Sequence, residues 1–194
     1  MSLLSKARFE SLGRGTVPAY IVEGSARESA WLNERMYCFS QFDEEKQYDI
    51  FLSHSYRDHV AVAGLVKYLN EQYGYEIYVD WINDPELDRK NVSKKTAMII
   101  KSRMRKCKCL FYVTSDYAPN SKWMPWELGL MDGMKSKVVI CPLVQNNQVG
   151  DDYKGQEYLG IYPYITENKI KGTCKDALWV RDDVNVVKFD TWVG

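Results

Sequence analysis

The residues with the clearest chemical promise lie between 120 and 133, where the chain reads Asn-Ser-Lys-Trp-Met-Pro-Trp-Glu-Leu-Gly-Leu-Met-Asp-Gly. Asn120 or Ser121 can cap the first free N–H groups of a helix. Pro125 lacks an N–H and fits only in a first turn, which puts the helix start near Lys122. Trp123, Met124, Trp126, Leu128, Leu130, Met131 and Met134 leave such a helix little polar face, so it is expected to be mostly buried. Glu127 stands among them, four residues after Trp123. An ionised carboxylate is costly to bury unless it is paired or lines a wet cavity. Two readings stay open: a structural acid bonded to a neighbouring strand or an arginine, or an acid placed for chemistry.

The other reactive side chains make a weaker pattern. Five cysteines, Cys38, Cys107, Cys109, Cys141 and Cys174, have no framework spacing, and Cys109 and Cys141 lie in apolar runs typical of core thiols. Cys107 and Cys109 alone cannot close a four-ligand zinc site, and the two histidines, His54 and His59, sit in another segment. Neither histidine joins a Ser-His-Asp or Cys-His arrangement. No metal site is expected.

The elements that must position Glu127 read as alternating strands and helices. Tyr48–Ser53 is almost uniformly apolar, which suits a strand covered on both faces. Residues 54–58 form a polar turn, and helical spacing over 60–73 stops at Gly74. Residues 75–80 read as a second strand and 81–90 as a long polar loop. Asn91 or Ser93 caps a helix to about Lys106, 109–114 is a third strand, and 137–144 a fourth. This alternation predicts a doubly wound α/β sheet with right-handed crossovers. Beyond 145 the pattern weakens: 146–155 reads as loop, 158–165 as a fifth strand broken by Pro163, and 177–180 and 184–189 as short β-type runs. Upstream, Gly13, Gly15 and Pro18 read as breaks. Residues 25–39 read as a helix with a Ser25/Glu28 capping box. We therefore divide the chain into an N-terminal extension with one helix (1–46) and a main domain (47–194), its core at 47–144.

With 194 residues, 45% of them hydrophobic and 27% charged, one full-sized core is the default. The 26 basic and 26 acidic residues balance, which points to neither a nucleic-acid partner nor a membrane surface. No apolar run reaches the roughly 18–20 residues that span a bilayer, and the first residues lack a signal peptide's apolar core. A cytoplasmic location is expected. The basic helix near 94–106 (Lys94, Lys95, Lys101, Arg103, Arg105, Lys106) reads as a solvated face or as an assembly surface.

Three segments resemble one family. Residues 48–55, Tyr-Asp-Ile-Phe-Leu-Ser-His-Ser, with Asp58, resemble the first box of Toll/interleukin-1 receptor (TIR) domains. The Asp-Pro loop after the second strand sits where that family has its BB loop. Trp123-Met124-Pro125-Trp126-Glu127-Leu128 resembles the Trp-x-x-x-Glu-Leu segment of bacterial and plant-type members, and the whole string is similar to small bacterial TIR proteins. The three occur in family order over about 47–144. The resemblance implies a flavodoxin-like parallel sheet of about five strands in the order 2-1-3-4-5. It also implies, for catalytic members, cleavage of NAD+ at the nicotinamide–ribose bond, with Glu127 as the key residue.

The implied chemistry suits a lone carboxylate. Ordinary glycosidases need a second acid to protonate a poor leaving group. Nicotinamide on NAD+ is already cationic and departs neutral. One carboxylate near the ribose can then stabilise the oxocarbenium-like state. Ligands of open α/β sheets bind beyond the carboxyl ends of the strands. Ser53, His54, Ser55, Tyr56 and Arg57 are candidates to hold the pyrophosphate, or equally turn and cap residues. Trp81 and Asp84 belong to a loop that could close as a lid with Pro85, or that is plain turn chemistry. Trp123 could stack on a base or on nicotinamide. No Gly-x-Gly-x-x-Gly run is present, so no bound cofactor is expected and NAD+ is a substrate. The resemblance further implies self-association through TIR surfaces, a downstream effector that senses a nucleotide product, and a role in phage defence. Two rival readings remain: a non-catalytic TIR adaptor, and a nucleoside deoxyribosyltransferase-like enzyme.

Overall fold

The computed structural model describes residues 1–14, 42–84, 93–115, 118–150, 152–155 and 157–194, without the side chains of 81, 82 and 120. The helix expected at 25–39, Gly15, Pro18, Cys38 and Pro85 lie outside the described residues. The strands are β1 (Leu4–Ser5), β2 (Tyr48–Ser53), β3 (Ile77–Tyr78), β4 (Cys107–Thr114), β5 (Val138–Val144), β6 (Tyr164–Lys169), β7 (Asp176–Arg181) and β8 (Val186–Lys188). The α-helices are α1 (Lys6–Arg14), α2 (His59–Tyr73), α3 (Asp80–Asn83), α4 (Lys94–Lys106), α5 (Met124–Lys135) and α6 (Phe189–Val193).

The sheet runs β3-β2-β4-β5-β6-β7-β8. From β3 to β6 all neighbours are parallel, and β7 and β8 add antiparallel strands at the edge. Counted from β2, the first five strands have the expected order 2-1-3-4-5. Tyr48–Ser53 forms as the sequence predicts because both its faces are covered. Ile50 and Leu52 pack under α2, while Phe51 joins Ile100, Met104, Met124, Leu128 and Met131 from α4 and α5 on the other side. Helix α2 ends at Gly74, whose φ of 74° is the left-handed conformation that glycine adopts at no steric cost.

Several boundaries differ from the sequence reading, each for a local reason. The second strand is only Ile77–Tyr78, because Asn83 Oδ1 accepts the Val79 N–H (2.7 Å) and the chain turns directly into α3. The fifth strand starts at Tyr164 rather than 158. Residues Glu157–Ile161 form a 3-10 turn, and Pro163, which has no N–H for a ladder, precedes the strand and offers only its carbonyl to Ile140 N (2.8 Å). Val184 belongs to the turn before β8, where Asp182 Oδ1 accepts its N–H (2.8 Å). Phe189 opens α6.

The first fourteen residues are part of the main body. β1 pairs with the carboxyl half of β5, Leu4 with Leu143 and Ser5 with Val144. Gly13 does not break the segment but lies inside α1, against α2. A Cβ at Gly13 would stand 1.9 Å from Val60 O, and one at Gly64 would stand 2.0 Å from Phe9 O. The two helices thus touch backbone to backbone. Gly64→Ala should therefore force α1 outward and cost about 1–3 kcal/mol. Gly129→Ala, whose Cβ meets nothing within 4 Å, should be neutral or stabilising. Urea unfolding checks both, and equal midpoints would refute the close contact.

Candidate active site

Alternation along the central strands decides which side chains meet Glu127. Phe51 of β2, and Leu110 and Tyr112 of β4, face the α5 side. By the same period of two, so do Ser53 and Thr114. Ser53 pairs with Tyr112 across the strands at the carboxyl end of the sheet. Helix α5 begins just beyond that end. Ser121 Oγ accepts the Met124 N–H (3.3 Å), and Pro125 occupies the first turn, as expected. Glu127 also lies in the first turn, where the helix dipole favours a negative charge.

The carboxylate is fully buried, and Ser53 Oγ–H donates to its Oε2 at 2.6 Å. This length lies within the ordinary O–H···O range. Ser53→Ala would remove this donor from a buried oxygen. It should cost about 1–3 kcal/mol of stability, read by denaturation; an unchanged midpoint would show the bond to be of no consequence.

The other expected residues separate into groups. His54 is buried next to Ser53; since a carbonyl only accepts, its Nδ1–H donates to Leu52 O (2.9 Å). Its Nε2 faces Asp80 Oδ1 at 3.9 Å, beyond direct hydrogen bonding. Ser55 is half-buried, its carbonyl accepting the Asp58 N–H, while Tyr56 and Arg57 are exposed, Tyr56 lying on the His59 ring with centroids 5.3 Å apart. Asp84 is engaged elsewhere. Arg103 grips its carboxylate with two bonds (2.9 and 3.0 Å) and Tyr78 adds a third (2.8 Å). That clasp ties the end of α3 to α4. Trp81 lies in α3, its side chain outside the described residues. Trp123 is buried in the core and meets Trp126 edge-on at 5.5 Å, so it is Trp126, 39% exposed, that presents a ring to solvent. On α4, Lys94, Lys95, Lys101 and Arg105 are exposed.

Two further groups have no role assigned from the sequence. The first is Asp58, buried at the head of α2. Lys6 Nζ reaches its Oδ1 at 2.8 Å, and the Ser115 hydroxyl donates to its Oδ2. The second is a set of tyrosines. Burial, then the neighbouring Tyr158 and its hydrogen bond, with smaller contributions from Tyr153 and the charge on Glu127, push the Tyr112 phenol far above its ordinary range. The Tyr153 ring lies 5.6 Å from that of Tyr164, centroid to centroid, and the Tyr162 hydroxyl donates to Asp132 of α5 (3.0 Å). Strict alternation in β4 could have flagged Tyr112. Only the crowding of Tyr153, Tyr158, Tyr162 and Tyr164 in a polar stretch hints at the rest. Among the described residues, no group of three or more His, Cys, Asp or Glu could hold a metal ion.

A parallel sheet in this order, with helices on both faces and an acid from a helix start meeting a serine at a strand end, defines a TIR-type α/β domain. Residues 51–147 match the family model "Thoeris protein ThsB, TIR-like domain". The chain is 45% identical over 156 residues, 80% of each sequence, to the "Probable 3' cyclic ADP-D-ribose synthase ThsB'" of Bacillus cereus (strain MSX-D12). It is 35% identical over 108 residues to the "Putative cyclic ADP-D-ribose synthase TIR2" of Cytobacillus dafuensis, covering 55% of this chain and 28% of that protein. The chain belongs to the Thoeris ThsB TIR-like family.

Proposed function

We propose that this chain cleaves the nicotinamide–ribose bond of NAD+ and transfers the ribosyl carbon to a hydroxyl within the same molecule, giving a cyclic ADP-ribose isomer. The observation that carries the reading is the Glu127 carboxylate, buried at the carboxyl end of the sheet and oriented by the Ser53 hydroxyl. Its place in a family whose relative is named a cyclic ADP-D-ribose synthase supports the choice of reaction.

The step balances without a general acid. The C–N bond breaks, and its electron pair neutralises the pyridinium nitrogen of departing nicotinamide. Positive charge develops at the anomeric carbon, and Glu127 stabilises it electrostatically from a dry site. An acceptor hydroxyl then bonds to that carbon and gives up its proton, which Glu127 can take. Water in place of the hydroxyl would give linear ADP-ribose. The cyclic product serves as a signal to a separate effector in phage defence, and copies of the chain associate through their TIR surfaces. Among the described residues no helix is long and apolar enough to cross a membrane.

Purified protein incubated with NAD+ tests the reading. Nicotinamide is followed by chromatography and the second product is resolved by mass, the cyclic form being one water lighter than the linear one. A chain that releases no nicotinamide, even when concentrated, is a docking module and not an enzyme.

A further inference from the structure

Lys6 grips the loop that leads away from the buried acid. It opens α1, it is itself buried, and its ammonium stands 2.8 Å from Asp58 Oδ1. Asp58 is the last residue before α2. At the other end of the same loop stands Ser53, the last residue of β2, whose hydroxyl donates to Glu127. The loop between them is braced by its own bonds. The His54 Nδ1–H donates to Leu52 O (2.9 Å), the Asp58 N–H to Ser55 O (2.9 Å) and the His59 Nδ1–H to Tyr56 O (3.0 Å). A short loop tied at so many points shifts as a unit, so an anchor at one end sets the position of the other. The second oxygen of Asp58 takes the Ser115 hydroxyl, which ties the loop to the end of β4 as well.

The anchor is firm because α1 is fixed on both sides. β1, directly before it, pairs with Leu143 and Val144 of β5, and the backbones of α1 and α2 touch at Gly13 and Gly64. We propose that Lys6 is a positioning residue of the active site: through Asp58 it holds the β2–α2 loop where Ser53 meets Glu127, so that the N-terminal segment is a working part of the site. The inference rests on the NAD+-cleaving reading above. Lys6 lies outside residues 51–147, the stretch that matches the family model. It touches no reacting atom, and its effect on rate is one of placement. A displacement of about 1 Å at a catalytic group can cost on the order of 100-fold in rate.

Removing the ammonium does two separable things. It strands a buried carboxylate, which costs stability, and it frees the loop, which costs rate. Adding Asp58→Asn cures the first and not the second, because a neutral amide needs no counter-ion and the loop still has no tie to α1. The test measures kcat/KM for nicotinamide release by the parent, Lys6→Met, Lys6→Met/Asp58→Asn and Phe189→Leu, at a temperature where circular dichroism shows each chain folded. Phe189 is buried in the cluster on the α2 side of the sheet, and its variant controls for lost stability alone. Lys6→Met should fall about tenfold or more, the double variant should stay at least about fivefold below the parent, and Phe189→Leu should hold within about twofold. Should Lys6→Met fail to fold, the double variant decides alone. Parental kcat/KM in folded Lys6→Met overturns the proposal. So does a double variant that regains it along with stability, which would leave Lys6 a counter-ion only, or an equal fall in Phe189→Leu. These outcomes leave bond cleavage standing. A parent chain that releases no nicotinamide overturns the cleavage reading and this inference with it.

Discussion

Glu127→Gln should release nicotinamide from NAD+ about 10²–10³-fold more slowly than the parent chain, the usual loss when one electrostatic stabiliser of a developing charge is removed. The substitution separates charge from shape. Glutamine fills the same volume, and its carbonyl oxygen can still accept the Ser53 hydroxyl now 2.6 Å from Oε2. What disappears is the negative charge that, in the proposed reaction, stabilises the anomeric carbon. A carboxylate with no exposed surface is also an expense to the fold, because it has given up its hydration for contacts that include the Ser53 hydroxyl and the dipole of its helix. The variant should therefore unfold at the parent's midpoint or above it. Lost activity with kept stability is the combination expected of an acid that is there for chemistry. If Glu127→Gln cleaves NAD+ at the parental rate, or loses activity only because it unfolds, the acid is structural.

Much of this was legible in the sequence, for a physical reason. Glu127 stands out because a charge among Trp123, Trp126, Leu128 and Met131 violates the pattern of its own helix. Tyr48–Ser53 is plain because a strand covered on both faces has no polar period to confuse with a helix. The N-terminal segment is harder to read. Leu3 and Leu4 are too few to show a period, and the strand they join lies near residue 143. Gly13 carries the sign of a helix breaker, yet here its missing side chain is what lets α1 lie on α2. Tyr162 is hidden for another reason: its partner Asp132 lies on α5, and only folding brings the two together. Asp84 shows the reverse case. Its Asp-Pro loop suggests a lid, but Arg103 already holds the carboxylate in two bonds.

Lys6→Met should destabilise the chain by about 3–5 kcal/mol, the cost of leaving one member of a buried ion pair without the other. The Lys6 side chain is 11% exposed and that of Asp58 not at all, and the two charged groups stand 2.8 Å apart. Among the described residues Asp58 Oδ1 has no hydrogen bond of strict geometry, so the ammonium supplies its compensation. Methionine has nearly the same length and removes only the charge. The remaining carboxylate would keep the Ser115 hydroxyl on its other oxygen and little else. Three pieces of chain meet at this pair: the start of α1, the loop from β2 into α2, and the residue after β4. The loss should therefore loosen the loop that begins at Ser53, and amide exchange over 53–60 should quicken. Pairing Lys6→Met with Asp58→Asn removes the stranded charge and should recover a good part of the stability, since a neutral buried pair needs no counter-ion. The cycle of single and double variants, read by urea unfolding, measures this coupling directly. If Lys6→Met lies within about 1 kcal/mol of the parent, as exposed ion pairs typically do, then burial has not made the contact strong and the N-terminal segment is held by β1 and the glycine contact instead.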